Sequence, residues 1–526
     1  MKKWSSYSSD LTNDFYDIII IGSGIGGLTT GALLALRGKK VLILEKHFKI
    51  GGWTHTFKRS NYEWDVGIHY IGEVHKKWAV SRRLFDLISD KKLEWSKMDE
   101  NYDRIIFPDQ SYNFVEPRQR FIDDMIKYFP KEEKAILKYI KLVDETVTSA
   151  RPYFANKAMQ PLLGRITHPF MSKKFFQFSD RTTYDVLSSL TSNKKLIGVL
   201  TGQWGDYGLP PKRSSFAMHA FVAKHYLDGA NYPTGSSRRI AETISDNIEK
   251  HGGTLAVNAS VKKIIIKSGR SIGVLMENGD ELYSDIVVSN TGIMNTFENL
   301  ISNEIISQKY QNQLNLIQKT ESYVCLHIGL KRAFEELNLK NTNLWIYPDY
   351  DHDLNVGKYM DDQNAPFPVL YISFPSIKDS SWDEQHKGFT TVEAITMSRW
   401  KWYDNWSSLS WKNRGEEYES YKRQLTKRIM EIVYKNVNGI NDSVDHLELS
   451  TPLTVRDLAN YQNGEMYGLD HNPKRFRQKF LRPRTDIKNL FLTGQDITTV
   501  GVTSALFSGL LTASSIEKKN LYKMLK

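Results

Sequence analysis

The stretch that most constrains the fold is residues 17–46, DIIIIGSGIGGLTTGALLALRGKKVLILEK. The apolar run IIII predicts a strand, the glycine cluster a tight turn, the next stretch a helix, and VLILE a second strand that ends in Glu45. Gly22, Gly24 and Gly27 have the G-x-G-x-x-G spacing. Such glycines allow the turn, the approach of a pyrophosphate and close helix packing. We therefore predict a dinucleotide-binding βαβ unit.

This unit predicts how a dinucleotide is held but not which one. Its helix N-terminus offers free N–H groups to phosphates, and Glu45 can accept hydrogen bonds from ribose hydroxyls. A glutamate at this position disfavours a 2′-phosphate, whereas NAD and FAD both remain open. The contacts predicted from the unit are Gly22, Ser23, Gly24, Ile25, Gly26, Gly27, Glu45 and Lys46.

Two further segments favour FAD. Residues 50–57, IGGWTHTF, carry a glycine doublet after the acidic strand, as flavoproteins of the glutathione-reductase type do. Residues 489–516 predict a strand, a Gly-x-Asp turn and a helix, with Asp496 placed to bind a ribityl hydroxyl and Gly501 at the helix start. Val261 begins a strand that resembles the adenine-contacting strand of these proteins. The added predicted contacts are Gly51, Gly52, Trp53, Thr54, Val261, Gly494, Asp496, Gly501, Val502 and Thr503.

Composition excludes some classes of protein. With 526 residues the chain is too long for one core, so at least two domains are expected. The single cysteine, Cys325, excludes an intrachain disulfide, and YVCLHIGL around it alternates like a strand. His55 and His69 lack a metal-binding spacing, so we expect no metal. A net charge of +11 without a nucleic-acid motif favours an anionic membrane surface over nucleic acid.

Later motifs carry a family resemblance across essentially the whole chain. They include DVGIHYIG (65–72), SRWKWYDNW (398–406) and TPLTVRDLANYQNGEMYG (451–468). With the glycine motifs, these make the sequence similar to the carotenoid-isomerase, phytoene-desaturase and retinol-saturase family of flavoproteins, and most to its retinol-saturase-like members. Many members carry arginine where this chain has Trp53, which puts one cationic partner of the pyrophosphate in doubt.

The resemblance implies an α/β fold of monoamine-oxidase-like architecture that holds FAD noncovalently. A discontinuous Rossmann domain of the glutathione-reductase type is expected beside a mixed α+β substrate domain. The predicted FAD domain comprises 1–75, 232–292 and 486–526, and the substrate domain 76–231 and 293–485.

The resemblance also implies an apolar polyene, retinoid- or carotenoid-like, as the substrate. We expect hydride exchange with the flavin coupled to a proton step, with saturation favoured and cis–trans isomerisation or desaturation left open. A non-enzymatic prenyl-binding protein of the GDP-dissociation-inhibitor type is the alternative of another class. Because no second G-x-G-x-x-G exists, the reductant is an external carrier or a transiently docked NADPH. The candidate catalytic residues are His69, Tyr70, His219 and Glu465.

Residues 155–180 suggest where the protein meets a membrane. Within them, MQPLLGRITHPFMSKKFFQF mixes large apolar residues with arginine and lysine, a composition that suits the membrane interface. We expect peripheral attachment to the cytoplasmic side of a membrane, and the sequence leaves the oligomeric state open.

Overall fold

A computed structural model describes residues 4–302 and 304–525. Its strands are β1 (Ser5–Ser6), β2 (Tyr16–Ile21), β3 (Val41–Leu44), β4 (Thr56–Arg59), β5 (Tyr62–Asp65), β6 (Ile71–Gly72), β7 (Trp95–Lys97), β8 (Asn101–Ile106), β9 (Ser111–Val115), β10 (Ala230–Pro233), β11 (Thr254–Val257), β12 (Val261–Lys267), β13 (Arg270–Met276), β14 (Glu281–Ser289), β15 (Ser322–Leu330), β16 (Asn343–Ile346), β17 (Leu370–Ser373), β18 (Thr390–Ser398), β19 (Val444–Ser450) and β20 (Leu490–Leu492).

The α-helices are α1 (Ile25–Ala35), α2 (Val80–Ile88), α3 (Arg118–Tyr128), α4 (Glu133–Ala158), α5 (Pro161–Ser179), α6 (Thr183–Ser188), α7 (Lys194–Leu200), α8 (Phe216–Tyr226), α9 (Arg238–Lys250), α10 (Gln308–Leu314), α11 (His352–Asp361), α12 (Pro375–Lys378), α13 (Asp383–His386), α14 (Asp404–Ser407), α15 (Gly415–Asn436), α16 (Pro452–Ala459), α17 (Pro473–Phe476) and α18 (Val502–Glu517).

The first large sheet contains the predicted βαβ unit. Its order is β1-β11-β3-β2-β14, all parallel, and β20 also pairs with β14 in parallel. β13 and β12 continue from β14 in antiparallel pairing. β3 is an unbroken buried apolar strand, as expected in a parallel sheet whose two faces are covered. The predicted β2–α1–β3 unit and the predicted strand and helix of residues 489–516, β20 and α18, are therefore confirmed.

The second large sheet has the order β19-β15-β18-β17-β16-β8-β9. All its pairs are antiparallel except β16 with β8. It carries its own apolar core, to which α4 and α8 contribute, whereas the first sheet has an apolar core on each of its two faces. Two sheets with separate cores agree with a nucleotide-binding part and a substrate part, while the domain bounds given above stay a prediction.

No helix within residues 4–302 and 304–525 has both the length and the apolar character that crossing a bilayer requires.

Candidate active site

The glycines after β2 allow the loop after β2 to come into close contact with the loop after β20. Gly22 adopts a φ of +93°, which favours glycine at this turn. A Cβ added at Gly27 would lie 2.3 Å from the Gly22 carbonyl oxygen, and one at Gly26 would lie 2.8 Å from the Gly494 nitrogen. Only glycine fits at these contacts, so the loop after β2 packs directly against the loop after β20.

Glu45 organises the same loop. Its Oε2 accepts hydrogen bonds from the Ser23 backbone N–H (2.9 Å) and the Ser23 hydroxyl (2.6 Å). Its Oε1 accepts one from the His47 N–H at 2.9 Å. Since a carboxylate offers about four acceptor positions, Glu45 retains capacity for a ribose hydroxyl.

Two helix N-termini face the region between these loops. Gly24 precedes α1 and Gly501 precedes α18, and neither helix has a side-chain cap. Their first N–H groups are therefore available to an anion, where the helix dipole favours negative charge.

Asp496 supplies a buried acceptor beside α18. Its Oδ2 accepts a hydrogen bond from the Ile293 N–H at 2.8 Å. Its Oδ1 is buried and has no hydrogen-bond partner among the described residues. Burial raises the pKa of Asp496, although Arg475 opposes the shift. Oδ1 lies beside Gly468, whereas Oδ2 lies beside the cavity-lining Gly292, so Oδ2 is the oxygen nearer to a molecule bound in this site.

These groups line one cavity of about 750 Å³, a size typical of ligand pockets. Three predicted cofactor residues, Ser23, Gly27 and Thr503, do not line it. Ser23 is fully buried, and Gly27 packs against the Gly22 carbonyl. The predicted cofactor residues that line the cavity are Gly22, Gly24, Ile25, Gly26, Glu45, Lys46, Gly51, Gly52, Trp53, Thr54, Val261, Gly494, Asp496, Gly501 and Val502.

The same cavity continues to the second large sheet. Strands β15, β18 and β19 and the segment after α16 form this wall. The wall offers a long ligand a largely apolar surface, in contrast to the glycine loops at the other end. Its apolar residues include Tyr323, Val324, Ile395, Leu449, Met466 and Tyr467.

His327, on β15, is an ionisable residue in this wall. Its Nε2 lies 3.1 Å from the Ser450 hydroxyl, which also lines the cavity. Its Nδ1 lies 3.3 Å from Oε1 of Glu393 on the adjacent strand β18. The other carboxylate oxygen of Glu393, Oε2, lies 3.1 Å from Nδ1 of His69. One fully buried carboxylate thus joins two histidines.

The charge of Glu393 fixes the orientation of both imidazoles. Burial by itself would raise the pKa of this carboxyl, but the contacts with His327 and His69 outweigh it and lower the pKa below its usual range. An ionised carboxylate only accepts hydrogen bonds. These contacts place both Nδ1 atoms beside the carboxylate and leave Nε2 of His327 beside the Ser450 hydroxyl at the cavity wall.

The predicted catalytic residues lie behind the cavity wall or away from it. His69 does not line the cavity. It contacts Glu393, which in turn contacts the cavity-lining His327. The Tyr70 hydroxyl donates to Asp103, at 3.0 Å, and its ring stacks on Tyr226. Tyr70 is therefore an internal hydrogen-bond donor of the core.

The structure also places His219 and Glu465 outside the cavity wall. His219 lies between the hydroxyls of Tyr139 (2.8 Å) and Tyr207 (3.3 Å). Burial lowers the pKa of His219 to about 3, so it is neutral near pH 7 and has no acidic proton to supply. Glu465 accepts a hydrogen bond from the Asn463 N–H, at 2.8 Å, within its own turn.

Sequence reasoning missed His327, although a signal for it existed. In the predicted strand YVCLHIGL, Cys325 and His327 lie two residues apart and therefore share one face. That face lines the cavity, and Cys325 is half-buried there. The donor atoms of Cys325, His327 and Glu393 lie within 4.8 Å of one another. The contacts between His327 and Glu393 account for this cluster without an ion, and the expected absence of a metal stays a prediction.

Glycine loops, two uncapped helix N-termini and a buried carboxylate at one end of a long cavity fit a dinucleotide cofactor, and the family match identifies the class as flavin-dependent oxidoreductases. The chain belongs to the family of flavin-containing amine oxidoreductases, whose sequence profile matches residues 25–516. The family resemblance seen in the motifs is confirmed, and the cofactor is FAD.

Comparison with individual proteins shows which members of the family this chain is similar to. It is similar to an all-trans-retinol 13,14-reductase of Danio rerio, with 34% identity over 96% of this chain and 86% of the relative. It is also similar to a chloroplastic prolycopene isomerase of an Oncidium hybrid cultivar, with 26% identity over 95% of this chain and 84% of that protein. Among solved structures, cyclohexylamine oxidase from Brevibacterium oxydans matches 95% of this chain and 99% of its own, with a TM-score of 0.61 and 16% identity. The last comparison confirms the monoamine-oxidase-like fold.

Proposed function

We propose that this protein uses FAD to saturate a carbon–carbon double bond of a long apolar polyene of the retinoid or carotenoid class. The observation that carries the proposal is the continuous cavity, which runs from the glycine loops to a largely apolar wall in which the His327 imidazole contacts the Ser450 hydroxyl. The names of two similar relatives, an all-trans-retinol 13,14-reductase and a prolycopene isomerase, support this substrate class.

In the proposed reaction, residues of this chain orient the polyene and supply it with a proton. When bound, FAD supplies hydride chemistry, and an external carrier or NADPH restores its electrons. Saturation adds two hydrogens, one as hydride and one as a proton, so a proton donor must reach the second carbon. His327 is the protein group placed for this, because its Nε2 faces Ser450 at the cavity wall while Glu393 stabilises the positive charge of its protonated form.

Cis–trans isomerisation is the second candidate, and the similarity to prolycopene isomerases favours it. It needs the same cavity but no net transfer of electrons. Desaturation is the reverse of the proposed reaction and would require an oxidant. The non-enzymatic prenyl-binding alternative is not supported, because the chain belongs to a flavin-containing enzyme family.

Product mass distinguishes these reactions. The FAD-loaded protein is reduced anaerobically and mixed with a panel that includes all-trans-retinol and a carotenoid. We expect a product heavier by two mass units. A product lighter by two units would indicate desaturation, and an unchanged mass with altered chromatographic retention would indicate isomerisation. No change in any polyene would refute the substrate class.

We also propose that α5 attaches the protein peripherally to the cytoplasmic side of a membrane. This helix occupies most of the predicted segment 155–180. Its exposed apolar side chains are Leu162, Leu163, Ile166 and Phe170, and Phe170 is 83% exposed. Leu162 and Leu163 lie four and three residues before Ile166, which lies four before Phe170, so these side chains share one face. Lys173 and Lys174 follow on the same helix. Such a face suits the boundary between headgroups and acyl chains.

The double substitution Ile166→Asp and Phe170→Asp tests the attachment. We expect about a hundredfold weaker binding to lipid vesicles in a sedimentation assay, since each side chain contributes about 1.5 kcal/mol or more on burial. The matched control is Leu137→Asp, an exposed apolar position on α4 outside this face. Equal vesicle binding by the double variant and the control would contradict the proposal.

A further inference from the structure

A second cavity, of about 420 Å³, lies between α4, α5 and residues 476–486. It is separate from the cavity that holds the flavin site, because the two share no lining residue. Its lining is strongly basic, and Asp486 is the carboxylate that faces it among the described residues. The basic lining residues are Lys157, Arg165, His168, Lys479, Arg482 and Arg484.

Backbone carbonyl oxygens, rather than carboxylates, accept the hydrogen bonds of Lys157 and Arg482. The buried Lys157 Nζ donates to the carbonyls of Leu481 and Ile497, both at 2.8 Å. Arg482 donates to the Asn156 carbonyl at 3.0 Å. Because carbonyls carry no net charge, the cavity keeps a positive potential.

Burial first, and the neighbouring positive charges second, lower the pKa of two groups in the cavity lining. Burial lowers the pKa of Lys157, and Arg475 and Arg482 lower it further. Burial also lowers the pKa of His168, and the positive charges of Lys479 and Arg482 add to the effect. Cations that disfavour each other's charge in this way are stabilised when an anion binds among them.

Two hydrogen-bond donors in the lining have no partner. The Tyr310 side chain is 4% exposed, and its hydroxyl makes no hydrogen bond within the described part of the chain. The Arg484 Nε–H is likewise buried without an acceptor there. Native proteins satisfy nearly all such groups, so the residues around this cavity offer more hydrogen-bond donors than the described structure pairs with acceptors.

We propose that this cavity binds the phosphate group of a phosphate ester. Arginine forks and a lysine match the oxygens of a phosphate in charge and geometry. The cavity volume exceeds the needs of the phosphate alone and leaves room for its ester substituent. Since α5 forms one wall and carries the exposed apolar face, a phospholipid headgroup is the source that the structure favours over a soluble ester.

The soluble arm of the test measures glycerol 3-phosphate binding to the FAD-loaded protein by calorimetry, so that the cofactor site is filled. Arg165→Gln with Lys479→Gln removes two exposed lining charges and leaves the carbonyl contacts of Lys157 and Arg482 intact. We expect binding about tenfold weaker or more. Lys173→Gln with Lys174→Gln removes the same charge from α5 outside the cavity, and we expect it to change binding by no more than about twofold.

The lipid arm compares galactolipid vesicles that carry equal negative charge as phosphatidylglycerol or as oleate. A preference for phosphatidylglycerol that disappears in the cavity variant identifies a lipid headgroup as the ligand. Binding in the soluble arm alone, lost in the same variant, identifies a soluble phosphate ester. The proposal is overturned if neither probe binds, or if the cavity variant and its control behave alike. Neither arm depends on the reaction proposed for the flavin site.

Discussion

Replacing His327 with alanine is expected to lower the rate of polyene saturation about a hundredfold or more, which is the usual contribution of a positioned acid. The reason is geometric, because His327 lines the cavity and is held by Glu393, 3.3 Å from its Nδ1. The measurement is the single-turnover rate of product formation by the reduced enzyme, with flavin content determined on the same sample. Flavin content should not change, since the glycine loops and Asp496 are untouched.

His69→Ala is the matched control for this substitution. His69 contacts the same carboxylate, Glu393, but does not line the cavity. We expect a smaller loss of rate from His69→Ala than from His327→Ala, together with a similar loss of stability. Equal rates for wild type and His327→Ala would remove His327 from the mechanism, and a larger effect of His69→Ala would return the role to the residue predicted from sequence.

Replacing Asp496 with alanine is expected to weaken FAD binding by about ten- to a hundredfold, the effect of losing a hydrogen bond to a charged acceptor. Asp496 lines the cavity, and its Oδ2 lies beside the lining residue Gly292. The substitution also leaves the Ile293 N–H without its acceptor, which costs about 1–3 kcal/mol of stability. The measurement is FAD titration of the flavin-depleted protein, followed by its visible absorbance.

Asp496→Asn separates these two effects. Asparagine keeps an oxygen for the Ile293 N–H, so we expect wild-type stability with an intermediate loss of FAD affinity. If Asp496→Ala binds FAD as tightly as wild type does, the carboxylate does not contact the cofactor, and FAD lies in the cavity in a different orientation.

The cofactor end of the cavity was largely predictable because its signals are local. Strand, glycine turn, helix and acidic strand end occur within residues 17–46, and each follows from spacing and apolar pattern. The loop at Gly494 was also recognised from its own motif. What the sequence did not show was the contact of Gly26 with Gly494, which the packing of α1 against α18 produces.

The catalytic end was not predictable from local pattern. His69, His327 and Glu393 come from three distant segments, and only the pairing of β15 with β18 brings the last two together. Tyr70 and His219 resembled catalytic residues because they lie in characteristic motifs, yet the structure surrounds both with internal hydrogen-bond partners. The basic cavity depends on residues more than 300 positions apart, such as Lys157 and Arg482, that meet only in the folded chain.

The most direct test of the central claim is the stoichiometry of a single turnover. The FAD-loaded protein is reduced anaerobically, freed of excess reductant and mixed with all-trans-retinol, while flavin absorbance and product mass are followed together. We expect one equivalent of flavin to be oxidised for each polyene that gains two mass units. Polyene turnover with the flavin still reduced and the product mass unchanged would contradict it and establish isomerisation instead.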